Sequence, residues 1–120
     1  MATVTDSRSS DRRTVAWRAK ILLPQGQVVE ARATDAGVNG LGVLSGKQVV
    51  FDSVVQLALQ VPVHGVAGKF HVVTGKARVV FQVLRGNEYQ LGLEWVQLEP
   101  AMRQALEQCL EKINPQQRTS

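Results

Sequence analysis

The feature that most restricts this chain is a two-residue alternation of apolar and other side chains that recurs along most of its length and then gives way once to helical spacing. Val15, Trp17, Ala19 and Ile21 alternate with Thr14, Ala16, Arg18 and Lys20. That period places one set of side chains on each face of a strand, so the segment buries one face and wets the other. The turn composition of Pro24-Gln25-Gly26-Gln27 then hands the chain to a second strand, Val28 to Thr34, which predicts a hairpin. The segment Asp35 to Gly42 is rich in glycine and reads as a tight turn leading into a short strand, Gly40 to Leu44. The alternation returns at Val55, Leu57, Leu59 and Val61, and again at Ala77, Val79, Phe81 and Val83. Pro62-Val63-His64-Gly65 and Gly68 interrupt the chain between them, and Phe70 to Thr74 opens the last long pair of strands. Arg85-Gly86-Asn87-Glu88 has the composition of a hairpin turn before Tyr89 to Leu98. The aromatic residues Trp17, Phe81 and Trp95 fall in these alternating segments and are expected in the core.

After Glu99 the period changes, with Met102, Ala105, Leu106, Cys109, Leu110 and Ile113 at the spacing of an amphipathic helix. Pro100 suits a first helical turn, and Asn114-Pro115 ends the helix because a residue before proline is pushed out of the α region. A run of strands closed by one helix predicts a mainly β chain: a six-stranded antiparallel β-barrel with a C-terminal α-helix across an opening or flank. The predicted organisation is a flexible N-terminal arm over residues 1–11, the barrel and helix over 12–114, and a disordered tail over 115–120. At 120 residues, of which 44% are hydrophobic and 20% charged, one such domain packs a core without a metal or disulfide staple.

Composition also narrows function. The single cysteine, Cys109, has no internal disulfide partner, and its place on the apolar helix face suits a buried thiol acting as a small hydrophobe. His64 lies in a loop signal and His71 in a strand, and neither stands at the spacing of a nucleophile, a dyad or a metal site. The expectation is therefore a protein that is not an enzyme and takes no cofactor or metal. No apolar run long enough for a signal peptide or membrane span is present, which points to the cytoplasm and to no membrane insertion. The net charge of +4 favours an anionic partner, and Arg8, Arg12, Arg13, Arg18 and Lys20 all fall near the start. Nucleic acid is the less suited anion, because aromatic stacking platforms are scarce, at 5% of the chain, and fall at core-like positions.

Two short segments carry chemistry. The first is Arg8-Ser9-Ser10-Asp11-Arg12, followed at once by Arg13; the second is Asp35-Ala36-Gly37-Val38-Asn39-Gly40. Guanidinium groups match phosphate oxygens through paired hydrogen bonds and stack on purine faces. Glycines at 37 and 40 let a ligand approach backbone amides, and Asp35 offers a carboxylate to a guanine edge or to an arginine.

In this order the two segments resemble the signature of the PilZ domain, an RxxxR arm followed by [D/N]xSxxG in a barrel. Arg8 and Arg12 match the first element; Asp35 and Gly40 match the ends of the second, whose serine is replaced here by Gly37. The resemblance continues through TVAWRAKI, through EYQLGLEWVQLEP with its glycine and nearby aromatic, and into the helix, covering about residues 8 to 112. It implies a split-barrel fold, binding of cyclic di-GMP by Arg8, Arg12 and Arg13 above a turn made by Asp35, Gly37 and Gly40, and an arm that folds over the ligand. It further implies a receptor that passes the signal to an unidentified protein partner in motility, biofilm or pilus-related signalling, as a monomer or weak dimer. The alternative is a degenerate adaptor that has lost the ligand and works through protein contacts, for which the missing serine hydroxyl is the main support.

Overall fold

The computed structural model describes residues 12–63 and 65–113, so Arg8, His64, the expected arm over 1–11 and the tail lie outside the described residues. Among the described residues six strands precede one helix: β1 (Arg13–Leu22), β2 (Val28–Ala36), β3 (Gly40–Ser45), β4 (Val54–Pro62), β5 (Phe70–Arg85), β6 (Glu88–Gln97) and α1 (Pro100–Lys112). All neighbouring strands are antiparallel, and they close into a barrel in the order β1-β2-β3-β6-β5-β4. Closure removes open sheet edges, which is how a small all-β chain avoids pairing with its neighbours.

The alternation read from the sequence supplies the core. Ile21, Val43, Val61, Val73, Val79 and Leu91 are fully buried, and Leu41, Leu57, Leu59 and Leu93 are nearly so. Pro100 occupies the first turn of α1, and Leu106 and Leu110 seal the helix onto the barrel, with Met102, Ala105, Cys109 and Ile113 packed around them. Trp95 fits beneath because position 75 is glycine: a Cβ there would stand 2.8 Å from the indole ring.

Two readings change. β2 runs through Asp35 and Ala36, past the expected end at Thr34, because both residues pair with the start of β1, Thr14 and Arg13. Phe81 is not in the core; it is 45% exposed, whereas Trp17 and Trp95 are buried at 6% and 8%. The cause is a bulge between Val79 and Phe81 in the β5–β6 ladder. One extra residue turns every later side chain to the other face, so Ala77 and Val79 point inward and Phe81 and Val83 point outward. The edge of β5 beside this bulge is covered by the β3–β4 loop. Asp52 donates its N–H to the Val79 carbonyl, and the Gln82 side-chain amide exchanges two hydrogen bonds with the Val49 backbone, at 2.8 and 2.6 Å.

Candidate functional site

The turn between β2 and β3 is fixed from three directions. Gly37 donates its N–H to the Gly40 carbonyl at 2.8 Å, and Trp95 of β6 donates its backbone N–H to the Asn39 carbonyl at 3.0 Å. From α1, the Arg103 guanidinium donates to the Val38 carbonyl at 3.0 Å. The turn residues themselves reserve their side of the barrel for backbone. At Gly40 a Cβ would sit 2.2 Å from the Leu93 carbonyl oxygen, so β3 can approach β6 this closely only with glycine there.

Asp35 stands at the end of β2 between the buried Ala33 and Ala36, and a ladder irregularity between Ala33 and Asp35 directs it outward. Its carboxylate lies across Gly42, its register partner on β3, where a Cβ would meet an oxygen at 2.7 Å. Gly42 in turn faces Gly92 on β6, and Gly92 faces Phe81 on β5. The flanking Leu41, Val43, Leu91 and Leu93 all point into the core, so this row looks outward. A Cβ at Gly92 would touch the Phe81 Cβ at 3.0 Å. Across four strands the outer surface is thus a carboxylate, two glycines and an exposed aromatic ring.

Arg12 comes from the segment just before β1, and its Nη1 donates to Asp35 Oδ1 in a half-buried ion pair. Arg13 begins β1, half-buried, with its own Nη1 donating to the Arg12 carbonyl at 3.4 Å. The sequence segments therefore meet: Arg12, Arg13 and Asp35 are neighbours, and Gly37 and Gly40 form the turn beside them. Arg8 lies outside the described residues. Gly42, Gly92 and Phe81 were not among the expected site residues. An isolated glycine inside a strand pattern signals close backbone approach, and Gly92 carried that signal; nothing in the alternation announced the bulge that exposes Phe81.

The remaining reactive groups lie elsewhere. His71 is exposed on β5, and Cys109 is partly buried on α1, where burial pushes its thiol pKa up and so favours the unreactive protonated form. Among the described residues no group of three or more His, Cys, Asp or Glu side chains could hold a metal ion, and no helix is long and apolar enough to cross a membrane. What the row offers chemically is a low surface, with the Asp35 carboxylate over the buried Gly42 and the Phe81 side chain against Gly92, bounded by an aromatic on one side and a guanidinium–carboxylate pair on the other.

No family model matches the chain, and no curated protein is similar to it in sequence. Solved structures are similar to it in fold, among them the following three. The inhibitor of motility MotI/DgrA of Bacillus subtilis superposes with a TM-score of 0.71 at 14% identity, over 90% of this chain and 50% of that one. YcgR of Escherichia coli, in complex with cyclic di-GMP, gives 0.70 at 14% identity, over 89% and 46%. The PilZ domain of YcgR with cyclic di-GMP gives 0.65 at 14% identity, over 89% and 91%. The chain spans about half the length of the first two, and nearly the whole of the isolated PilZ domain. Its fold is that of the PilZ domain.

Proposed function

We propose that this chain is a cyclic di-GMP receptor domain whose ligand lies on the outer face of β2, β3 and β6. The observation that carries this reading is the Arg12–Asp35 ion pair held over Gly42, in a barrel of the same fold as a PilZ domain bound to that nucleotide. In this reading the guanidinium of Arg12, steered by Asp35, takes a phosphate oxygen or a guanine edge. A purine lies low beside Gly92, next to the Asp35 carboxylate that covers Gly42, Phe81 closes one side by stacking, and the Gly37–Gly40 turn supplies the rim. Arg8 is the second arginine of the pair, and Arg13 a third contact. Residues 1–11 fold over the ligand and offer a changed surface to a protein partner, in signalling of the motility, biofilm or pilus kind.

The second reading, an adaptor without ligand, is favoured by one observation: Gly37 has no hydroxyl where the signature has serine. One lost hydrogen bond weakens binding by about 0.5 to 1.5 kcal/mol, which leaves the ion pair and the exposed Phe81 ring to support the first reading. Calorimetric titration with cyclic di-GMP separates the two. Saturable binding that Asp35→Ala weakens supports the receptor; absence of heat at millimolar nucleotide supports the adaptor.

A further inference from the structure

One side chain ties the turn between β2 and β3 to α1, from a place on the helix where its charge is unfavourable. Arg103 follows Pro100, Ala101 and Met102, so its charge stands at the amino end of α1, where the first turn holds no acidic residue. The amino end of a helix carries a partial positive charge, which a cation there opposes. Glu99 caps the helix four residues before Arg103, and Glu107 lies four residues after it, the spacing at which opposite charges meet along a helix. Among the described residues neither carboxylate is within ion-pair distance of the guanidinium. Its Nη1 reaches another element instead, the Val38 carbonyl at 3.0 Å.

That carbonyl sits at the middle of the turn. Gly37 and Gly40 close around it, and the next carbonyl, of Asn39, accepts the Trp95 backbone N–H at 3.0 Å. Two successive carbonyls are thus held from outside β2 and β3, one by β6 and one by α1. The hold from β6 is backbone and belongs to the barrel, whereas the hold from α1 depends on a single side chain. A charged donor makes it stronger than a neutral pair, and its loss leaves a half-buried carbonyl without that partner. The helix end of the tie is itself anchored, since Leu106 is buried and Met102 and Ala105 pack against the core.

We infer that Arg103 is a positioning residue for the candidate nucleotide site: it acts through the Gly37–Gly40 turn rather than on the ligand, and it couples that rim to α1. The inference rests on the receptor reading. Coupling of this kind is reciprocal, so nucleotide binding perturbs the tie as the tie perturbs binding. It is tested on the full chain by calorimetric and 15N NMR titration with cyclic di-GMP. Arg103→Gln binds about fivefold or more weakly than wild type, Arg103→Lys, which keeps a charged donor, within about threefold, and the exposed neighbour variant Gln104→Ala equally well. In the wild type the Arg103 Nε–H signal, identified by its loss from Arg103→Lys, shifts with the Asn39 and Gly40 amides and saturates with them. A residue that merely braces the fold would lower the melting point without that shift. Wild-type protein that binds no nucleotide overturns the receptor reading and this inference with it. Wild-type binding that Arg103→Gln leaves intact overturns this inference alone, as does an Nε–H signal that stays still while the Gly40 amide moves. Equal loss in the Gln and Lys variants also overturns it, because one carbonyl needs only one charged donor.

Discussion

The two outward faces of this barrel are built by opposite rules. On the β2–β3–β6 face, glycines at 40, 42 and 92 bring backbone and neighbouring side chains so near that an added Cβ would meet another atom at 2.2 to 3.0 Å. On the β1–β4–β5 face the relief comes from Arg18, Lys20, Lys76 and Val72, all larger than the Ala58 they surround. The first face is shaped by close approach, of backbone at Gly40 and of the Asp35 and Phe81 side chains at Gly42 and Gly92, and the second by side chains that stand around a small residue.

The largest expected effect breaks the first face outright. Gly40→Ala should destabilise the barrel by about 3 kcal/mol or more, because the obstructing atom is a backbone carbonyl that cannot rotate away. The melting midpoint should fall by on the order of 10 to 20 °C. Ala58→Ser on the other face is the control, with an expected change within about 0.5 kcal/mol. Equal melting curves for the two variants would mean that the faces are not built differently.

Next comes Arg12→Ala, which should weaken cyclic di-GMP binding about 10- to 100-fold, as expected for loss of charge-assisted hydrogen bonds to the ligand. Its ion pair with Asp35 is about one-third exposed, at 32% and 36%, so stability should change by less than about 1 kcal/mol. Calorimetry and thermal melting on the same sample check both halves. A large drop in the melting point would make Arg12 a structural clasp rather than a ligand contact.

A smaller effect is expected at Phe81, whose ring is half in solvent. Phe81→Ala should reduce affinity about five- to tenfold through lost stacking while leaving the melting midpoint nearly unchanged. Trp95→Ala, by contrast, should cost about 3 to 5 kcal/mol of stability, since that ring is buried. Phe81→Ala that melts early would return the ring to the core role that the bare alternation assigns it.

The smallest effect belongs to Gly37→Ser. The positive-φ residues among those described are Gly26, Asp52, Gly65, Gly68 and Gly86, so position 37 is open to a side chain on backbone grounds. The added hydroxyl should tighten nucleotide binding by about two- to tenfold, one hydrogen bond's worth. Titration of both proteins checks this, and unchanged affinity would remove the hydroxyl from the list of useful contacts.

The barrel was legible in the sequence because a closed sheet with a single core forces the same two-residue period on every strand. Ile21, Leu57, Leu91 and their neighbours are buried where the period put them. Leu106 and Leu110 announced the helix by a different period for the same reason. What the period cannot carry is a change of phase. The bulge before Phe81 reverses the faces of β5 without altering its composition, so an exposed ring looked like core. At the candidate site, Arg12 and Asp35 stood out separately in the sequence because guanidinium and carboxylate groups suit phosphate and guanine chemistry, and the fold brings the two together as an ion pair. Gly42 did not stand out, since its role is to leave room for a carboxylate seven residues earlier, a contact made only by the register of β2 and β3.

The central claim is that a nucleotide lies on the glycine-floored face. Its most direct measurement is a 15N NMR titration of the full chain with cyclic di-GMP. The account expects saturable shifts at Asp35, Gly42, Phe81 and Gly92, with Ala58 and Thr74 unmoved at half saturation. Shifts centred on Ala58 and Thr74, or none at any amide at millimolar nucleotide, would contradict it.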